Sequence, residues 1–181
     1  MKIGVVVSGL PASGKTTVAR ELADRLHLNF LDKDDFLEDL YERHGVSSWD
    51  HRQRLSRESD VAFRNAATRL GSAVLVSHWR SRESEAESGT PIEWLDDEYD
   101  ILIEVYCHCS ADIAFERFTA RKRHPGHFDE MRNPEDLKAR LDALANDFPL
   151  GLAAMLRVQT YGDVDLDTLE RDVRQAIAAR R

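Results

Sequence analysis

Residues 3–17 read IGVVVSGLPASGKTT: an apolar run empties into a loop of small residues, which then sets a lysine at the mouth of a helix. Gly9, Gly14, Lys15 and Thr16 occupy every fixed position of GxxxxGK[ST], and the pattern lies between a strand and a helix, as its mechanism requires. Small residues such as Ala12 and Ser13 let the backbone wrap a phosphate closely. Consecutive amides and the helix N-terminus, through Thr17, then point at the anion. Lys15 is placed to neutralise charge between the last two phosphates, and the Thr16 hydroxyl to ligate Mg2+. A turn that merely joined strand to helix would account for Gly9 but not for Lys15. A cation at a helix N-terminus opposes the macrodipole unless an anion compensates it.

With 181 residues the chain builds one well-buried domain rather than two. Its 33 acidic and 25 basic residues give a net charge of −8, which argues against long nucleic acids as partners and leaves room for a small anion held locally. The apolar run near the N-terminus falls far short of the roughly 20 residues of a membrane span. It also lacks the basic leader of a signal peptide, so the expected compartment is the cytoplasm. Cys107 and Cys109 flank His108. A disulfide at that spacing would be strained and the pattern is not a zinc signature, so reduced thiols on a strand are expected.

Hydrophobic periodicity predicts a buried strand over 3–8 and a helix over 15–26 with Val18, Leu22 and Leu26 on one face. A short strand ends at Leu31, an acidic turn leads into a helix through about residue 42, and Gly45 stops it. Ser47 or Ser48 caps a long helix to about Leu70. Strands follow over 72–79, 101–109 and 154–160, and the polar stretch 81–98 reads as a surface excursion with a short helix after Pro91. Ser110 caps a helix over 111–122, broken by His124-Pro125-Gly126-His127. Another helix starts at Pro134, and a last one from Asp165 lines up Leu166, Leu169, Val173 and Ile177. Strands alternating with helices imply a parallel sheet covered on both sides, with ligands beyond the carboxyl ends of its strands.

At the second strand's carboxyl end stands Asp32-Lys33-Asp34-Asp35. One carboxylate there could accept the proton of a substrate hydroxyl while another holds hydrated Mg2+. Helix capping explains one or two of the acids equally well. GLPASGKTT followed closely by FLDKDDF resembles the P-loop kinases of small molecules, AAA-type ATP-binding proteins similar in fold to nucleoside monophosphate kinases. Shikimate, gluconate and chloramphenicol kinases are among them. The resemblance implies a P-loop NTPase fold: a three-layer, doubly wound α/β sandwich on a mainly parallel five-stranded sheet. It further implies one domain over 1–181, a mobile lid at about 117–137 and substrate-side helices at about 34–70. By position it points to Asp34 as the residue at the acceptor hydroxyl, Asp32 as a metal-side helper and Asp35 as an alternative.

The stretch ERFTARKRHPGHFDE resembles the lid of these kinases, where arginines fold over ATP. Arg117 and Arg121, four apart, are expected on one helix face with Arg123 at its end, bridging phosphates and stabilising charge as the phosphoryl group moves. His124 and His127 read as surface or hinge residues. Arg80 and Arg82, beside His78, follow the third strand, where they could bind an anionic or hydroxyl-rich acceptor. AVLVSHWR lacks the Asp that many P-loop proteins keep at that strand end, so Mg2+ must rely on Thr16, the phosphates, water and Asp32. No NKxD element for a guanine base is present. The expected activity is transfer of the γ-phosphoryl group of ATP, with Mg2+, to a hydroxyl of a small metabolite or antibiotic. A polynucleotide-end or nucleotide-sugar kinase and a non-catalytic ATP binder are the alternatives.

Overall fold

The computed structural model describes residues 1–84 and 88–181, so part of the polar stretch expected over 81–98, residues 85–87, lies outside the described residues. In chain order the elements are β1 (Ile3–Ser8), α1 (Lys15–Leu26), β2 (Asn29–Asp32), α2 (Lys33–His44), α3 (Trp49–Leu70) and β3 (Ala73–Val76). Then come β4 (Trp79–Arg80), β5 (Thr90–Pro91), α4 (Leu95–Glu98), β6 (Ile101–His108) and α5 (Ala111–Ala120). The chain closes with α6 (Pro134–Leu144), β7 (Met155–Gln159) and α7 (Leu166–Ala178).

Five strands form one sheet in the order β2-β3-β1-β6-β7. Every pairing is parallel, for instance Val5 opposite Val74 on one side and Ile103 on the other. Alternation along β1 sorts the two layers. Ile3, Val5 and Val7 pack with Val18, Leu22, Leu169 and Val173 of α1 and α7, whereas Val6 packs on the opposite face with Phe63 of α3 and with Ala114 and Leu141 of α5 and α6. Both faces of β1 are therefore dry, which is why its sequence is a continuous apolar run rather than an alternating one. Each fully buried Val or Leu contributes about 1.5–3 kcal/mol. The tail helix keeps the predicted stripe, with Leu169, Val173 and Ile177 buried.

Two expected elements end earlier than predicted. The third strand stops at Val76, because Ser77 Oγ turns aside to Thr90 Oγ1 at 2.5 Å and Trp79 swings across the sheet. There its indole Nε1 donates to Val7 O at 3.0 Å and its ring meets Phe63. Trp79 and Arg80 pair instead with Thr90 and Pro91 in a separate two-stranded ribbon. The helix α5 ends at Ala120, so Arg121 does not share a helical face with Arg117; its backbone is extended, at φ −83° and ψ 150°. The run from 121 leads into His124-Pro125, where the proline ring bars helical geometry in the residue before it.

Inside the sheet, Glu104 of β6 is fully buried and satisfied. Its carboxylate accepts from Ser8 Oγ at 2.6 Å and from the Leu150 amide at 2.7 Å, joining the end of β1 to the segment before β7. Cys107 and Cys109 are buried free thiols, and burial pushes the Cys107 thiol up to about 12. No helix among the described residues is long and apolar enough to cross a membrane.

Candidate active site

The loop between β1 and α1 is shaped by its glycines. Gly9 adopts φ 136°, and a Cβ there would lie 2.4 Å from the Cys107 carbonyl oxygen, so only glycine lets the loop leave the sheet this closely. Gly14, at φ 89° and ψ 5°, is the N-cap of α1 and offers no side chain to its amides. Every other helix of eight or more residues has a side-chain cap: Asp32, Ser48, Ser110, Asn133 and Asp165 accept amide hydrogen bonds at the starts of α2, α3, α5, α6 and α7. The first turn of α1 also carries no acid. Its free amides and positive dipole end thus face the cleft with Lys15, the arrangement that receives an anion. Burial lowers the Lys15 pKa below its usual range, and Asp34 and Asp32 oppose that shift.

Asp32 serves two ends at once. Its Oδ1 accepts from the Asp34 amide at 3.0 Å, capping α2, while its Oδ2 accepts from Thr16 Oγ1 at 3.0 Å. Capping and a metal-side role are therefore compatible in one residue. Burial, then the neighbouring Asp34, raises its pKa. A hydroxyl and a carboxylate in contact suit Mg2+, which keeps most of its waters and takes the rest of its shell from substrate phosphates. Among the described residues no group of three or more His, Cys, Asp or Glu side chains could hold a metal without such help.

Asp34 is half-exposed within the cleft and paired with Arg123. Burial pushes its pKa up, but Arg123, His127, Lys15 and Lys33 together outweigh this and hold the carboxyl below its usual range. Asp129 gathers Arg123 at 3.3 Å, Arg132 at 3.4 Å and Arg121 at 3.9 Å. Burial, reinforced by Arg123, lowers the Arg121 pKa to about 10, still protonated at neutral pH. These groups share one cavity of about 690 Å³ at the carboxyl ends of β1, β2 and β3, lined by Lys15, Thr16, Asp32, Asp34, Arg121 and Arg123 among others.

A family model described as an AAA domain matches residues 5–138. The chain belongs to the AAA domain family. A shikimate kinase from Clostridium beijerinckii is 27% identical over 77 residues, which are 42% of this chain and 46% of that protein. The chain thus spans about half the length of the curated relative it matches. A candidate kinase from Chloroflexus aurantiacus superposes with a TM-score of 0.80 at 25% identity, covering 99% of this chain and 98% of the other. Shikimate kinase from Acinetobacter baumannii, in complex with shikimate, superposes with a TM-score of 0.60 at 22% identity, covering 100% and 95%. Both likenesses run over the full α/β fold, and the expected P-loop architecture on a parallel five-stranded sheet is the one observed.

The geometry of this AAA domain sorts the remaining expected residues. Arg117 is not among the residues lining the cavity of Asp34; it donates to Thr160 O at 2.6 Å, with Nη1 4.0 Å from the place a Cβ on Gly14 would take. Arg80 lines the cavity, whereas Asp35 and Arg82 do not; Arg82 is ion-paired with Asp96. His127 is not a surface residue: it is buried, its Nε2 lies 2.8 Å from Glu38 Oε1 and its ring meets Tyr41 edge-on. Gly126 beside it leaves no space for a Cβ, which would fall 2.5 Å from the Tyr41 ring.

Sequence reading also missed a wall of the cavity. Lys33 Nζ donates to Ser56 Oγ at 2.8 Å and lies 3.4 Å from Asp60 Oδ1, which accepts from Thr90 Oγ1 at 2.6 Å. Since Thr90 meets Ser77, α2, α3, β5 and the end of β3 are tied in one polar chain. The only sequence signal was a lysine among aspartates at 32–35, and it names none of the partners on α3.

Two imidazoles in this cavity make the AAA domain sensitive to acid. Burial, with Lys15 close by, lowers the His78 pKa to about 3, and burial, with Arg123, lowers that of His127 to about 3. Both are held neutral in the fold but bind a proton near 6.5 once unfolded. Stability is accordingly complete above about pH 6.5 and is lost as pH falls toward 3, at up to about 1.4 kcal/mol per unit for each group. Urea unfolding at about pH 7 and about pH 5.5 measures the loss, and His127→Gln is expected to remove about half of the slope. A free energy independent of pH over that interval contradicts the neutral assignment.

Proposed function

We propose that the chain transfers the γ-phosphoryl group of ATP to a hydroxyl of a small molecule. The observation that carries this reading is the shared cavity: an uncapped α1 N-terminus with Lys15 at one side and the ionised Asp34 at the other. Family membership and the kinase likenesses support it.

In this reading the loop amides from Gly9 to Thr17, with Lys15, seat the polyphosphate. Arg117 packs on the nucleotide side, and Thr16 with Asp32 would hold Mg2+, which draws charge off the phosphate oxygens. Asp34 accepts the hydrogen bond of the acceptor hydroxyl, orients its oxygen toward the terminal phosphorus and takes up the proton as the new P–O bond forms and the bond from that phosphorus to the β,γ-bridging oxygen breaks, leaving ADP. Arg121 and Arg123 stabilise the charge that gathers on the transferred oxygens. Residues 117–137 act as a lid whose closure excludes water, which would otherwise compete with the acceptor. ATP as donor favours the cytoplasm as the compartment in which the chain works.

Release of ADP, measured with Mg-ATP and a panel of hydroxylated compounds, tests this directly. At least one compound is expected to raise release well above the rate with water alone. If Mg-ATP binds and none does so, the chain is a nucleotide binder and not a kinase.

A further inference from the structure

The same cavity includes a chamber lined by arginine. Arg52 of α3, Arg132 before α6 and Arg140 on α6 all line it. Trp49 gathers two of them, with the Arg52 and Arg132 guanidinium carbons 5.7 Å and 5.3 Å from its ring centroid. Arg140 donates to Ser88 Oγ at 3.2 Å. Among the described residues, only Arg132 of the three has a carboxylate partner, and that carboxylate, Asp129, is shared with Arg121 and Arg123. Arg52 Nε is buried with no acceptor.

Among the described lining residues the charges are likewise uneven. Nine lysine and arginine side chains face four aspartates among the described lining residues, although the whole chain carries a net charge of −8. Mg-ATP, at about −2, offsets less than half of that excess. Burial and mutual repulsion agree with the census: burial and then Arg52 lower the Arg140 pKa, and burial and then Arg140 lower that of Arg132. Guanidinium groups held together in this way, with the shared Asp129 the only carboxylate among them in the described residues, favour a further anion.

We infer that the acceptor carries a dianionic group of the phosphomonoester class, seated among Arg52, Arg132 and Arg140, while its hydroxyl reaches Asp34. A carboxylate has two oxygens and is matched by a single guanidinium fork, whereas a phosphomonoester presents three oxygens and about two charges to three forks. A ring on which guanidinium planes stack leaves their N–H edges free for those oxygens. The inference rests on the kinase reading for the hydroxyl, but the anion chamber is testable without turnover.

The full chain, with Mg2+ and a non-hydrolysable ATP analogue filling the phosphate loop, is titrated calorimetrically with inorganic phosphate and with acetate. Phosphate is expected to bind at least about tenfold more tightly than acetate, and Arg140→Gln and Arg52→Gln each to weaken it about tenfold or more while leaving analogue affinity unchanged. In turnover, the phosphate ester in a matched set of a polyol, its aldonate and its phosphate ester should show the lowest KM. Phosphate binding no tighter than acetate, or equal in wild type and both folded variants, overturns the inference, as does an aldonate preferred to the ester. Arginine-dependent phosphate binding with no member of the set phosphorylated leaves the chamber standing and removes the hydroxyl-kinase reading instead.

Discussion

Lys15→Ala is expected to lower turnover about 10²- to 10³-fold and to weaken Mg-ATP binding about tenfold, read from ADP release and calorimetry. The physical argument has two parts that pull in opposite directions. With nucleotide bound, the ammonium stands against the terminal phosphates beside amides that no side chain caps. Without it, the same ammonium sits at the positive end of α1, within 3.3 Å of the Leu10 carbonyl oxygen, with its pKa lowered by burial. Removing it should therefore leave the ligand-free protein as stable as before, or more stable by about 0.3–1 kcal/mol. The thermal shift on adding Mg-ATP should shrink sharply. A variant that kept full turnover and the full shift would mean that the loop does not hold a polyphosphate.

The second large effect is expected at Asp34. Asp34→Asn should reduce turnover about 10²- to 10⁴-fold while Mg-ATP affinity stays within about threefold. The carboxylate stands across the cavity from the loop amides, on the first turn of α2, and pairs with Arg123. Its depressed pKa keeps it ionised throughout the neutral range, so the wild-type acid limb should lie below the ordinary carboxylate range and vanish in the variant. Unchanged turnover would transfer the proton-accepting role to another carboxylate, with Asp32 the one already in contact with Thr16.

What the sequence disclosed is uneven for physical reasons. The phosphate loop was legible because local geometry dictates it: a glycine where a Cβ would strike the Cys107 carbonyl, and a lysine at a helix start that only an anion justifies. Helix starts were legible for the same reason, as with Ser110 and Asp165, whose side chains accept from amides three residues on. The strand end at Val76 was not. No glycine or proline in SAVLVSHW marks a stop after AVLV, and nothing in it shows that Trp79 completes the core from across the sheet. Arg121 was misplaced by helical periodicity alone, one residue beyond the true end of α5. The chamber of Arg52, Arg132 and Arg140 was hidden because α3 and the α6 region bring the three together from distant stretches. Spacing along the chain carries no record of that meeting.

The chain of contacts from Ser56 through Lys33, Asp60 and Thr90 to Ser77 makes the two jaws of the cleft unequal. One is an anvil, cross-linked between helices and the end of a central strand, whose outline does not wait for the guest. The facing jaw, around Asp129, is held by attractions among charges that an incoming anion can itself replace. A guest must match the anvil in shape and then recruit the other side by its own charge, so the right outline with the wrong ionic character would dock without being clasped.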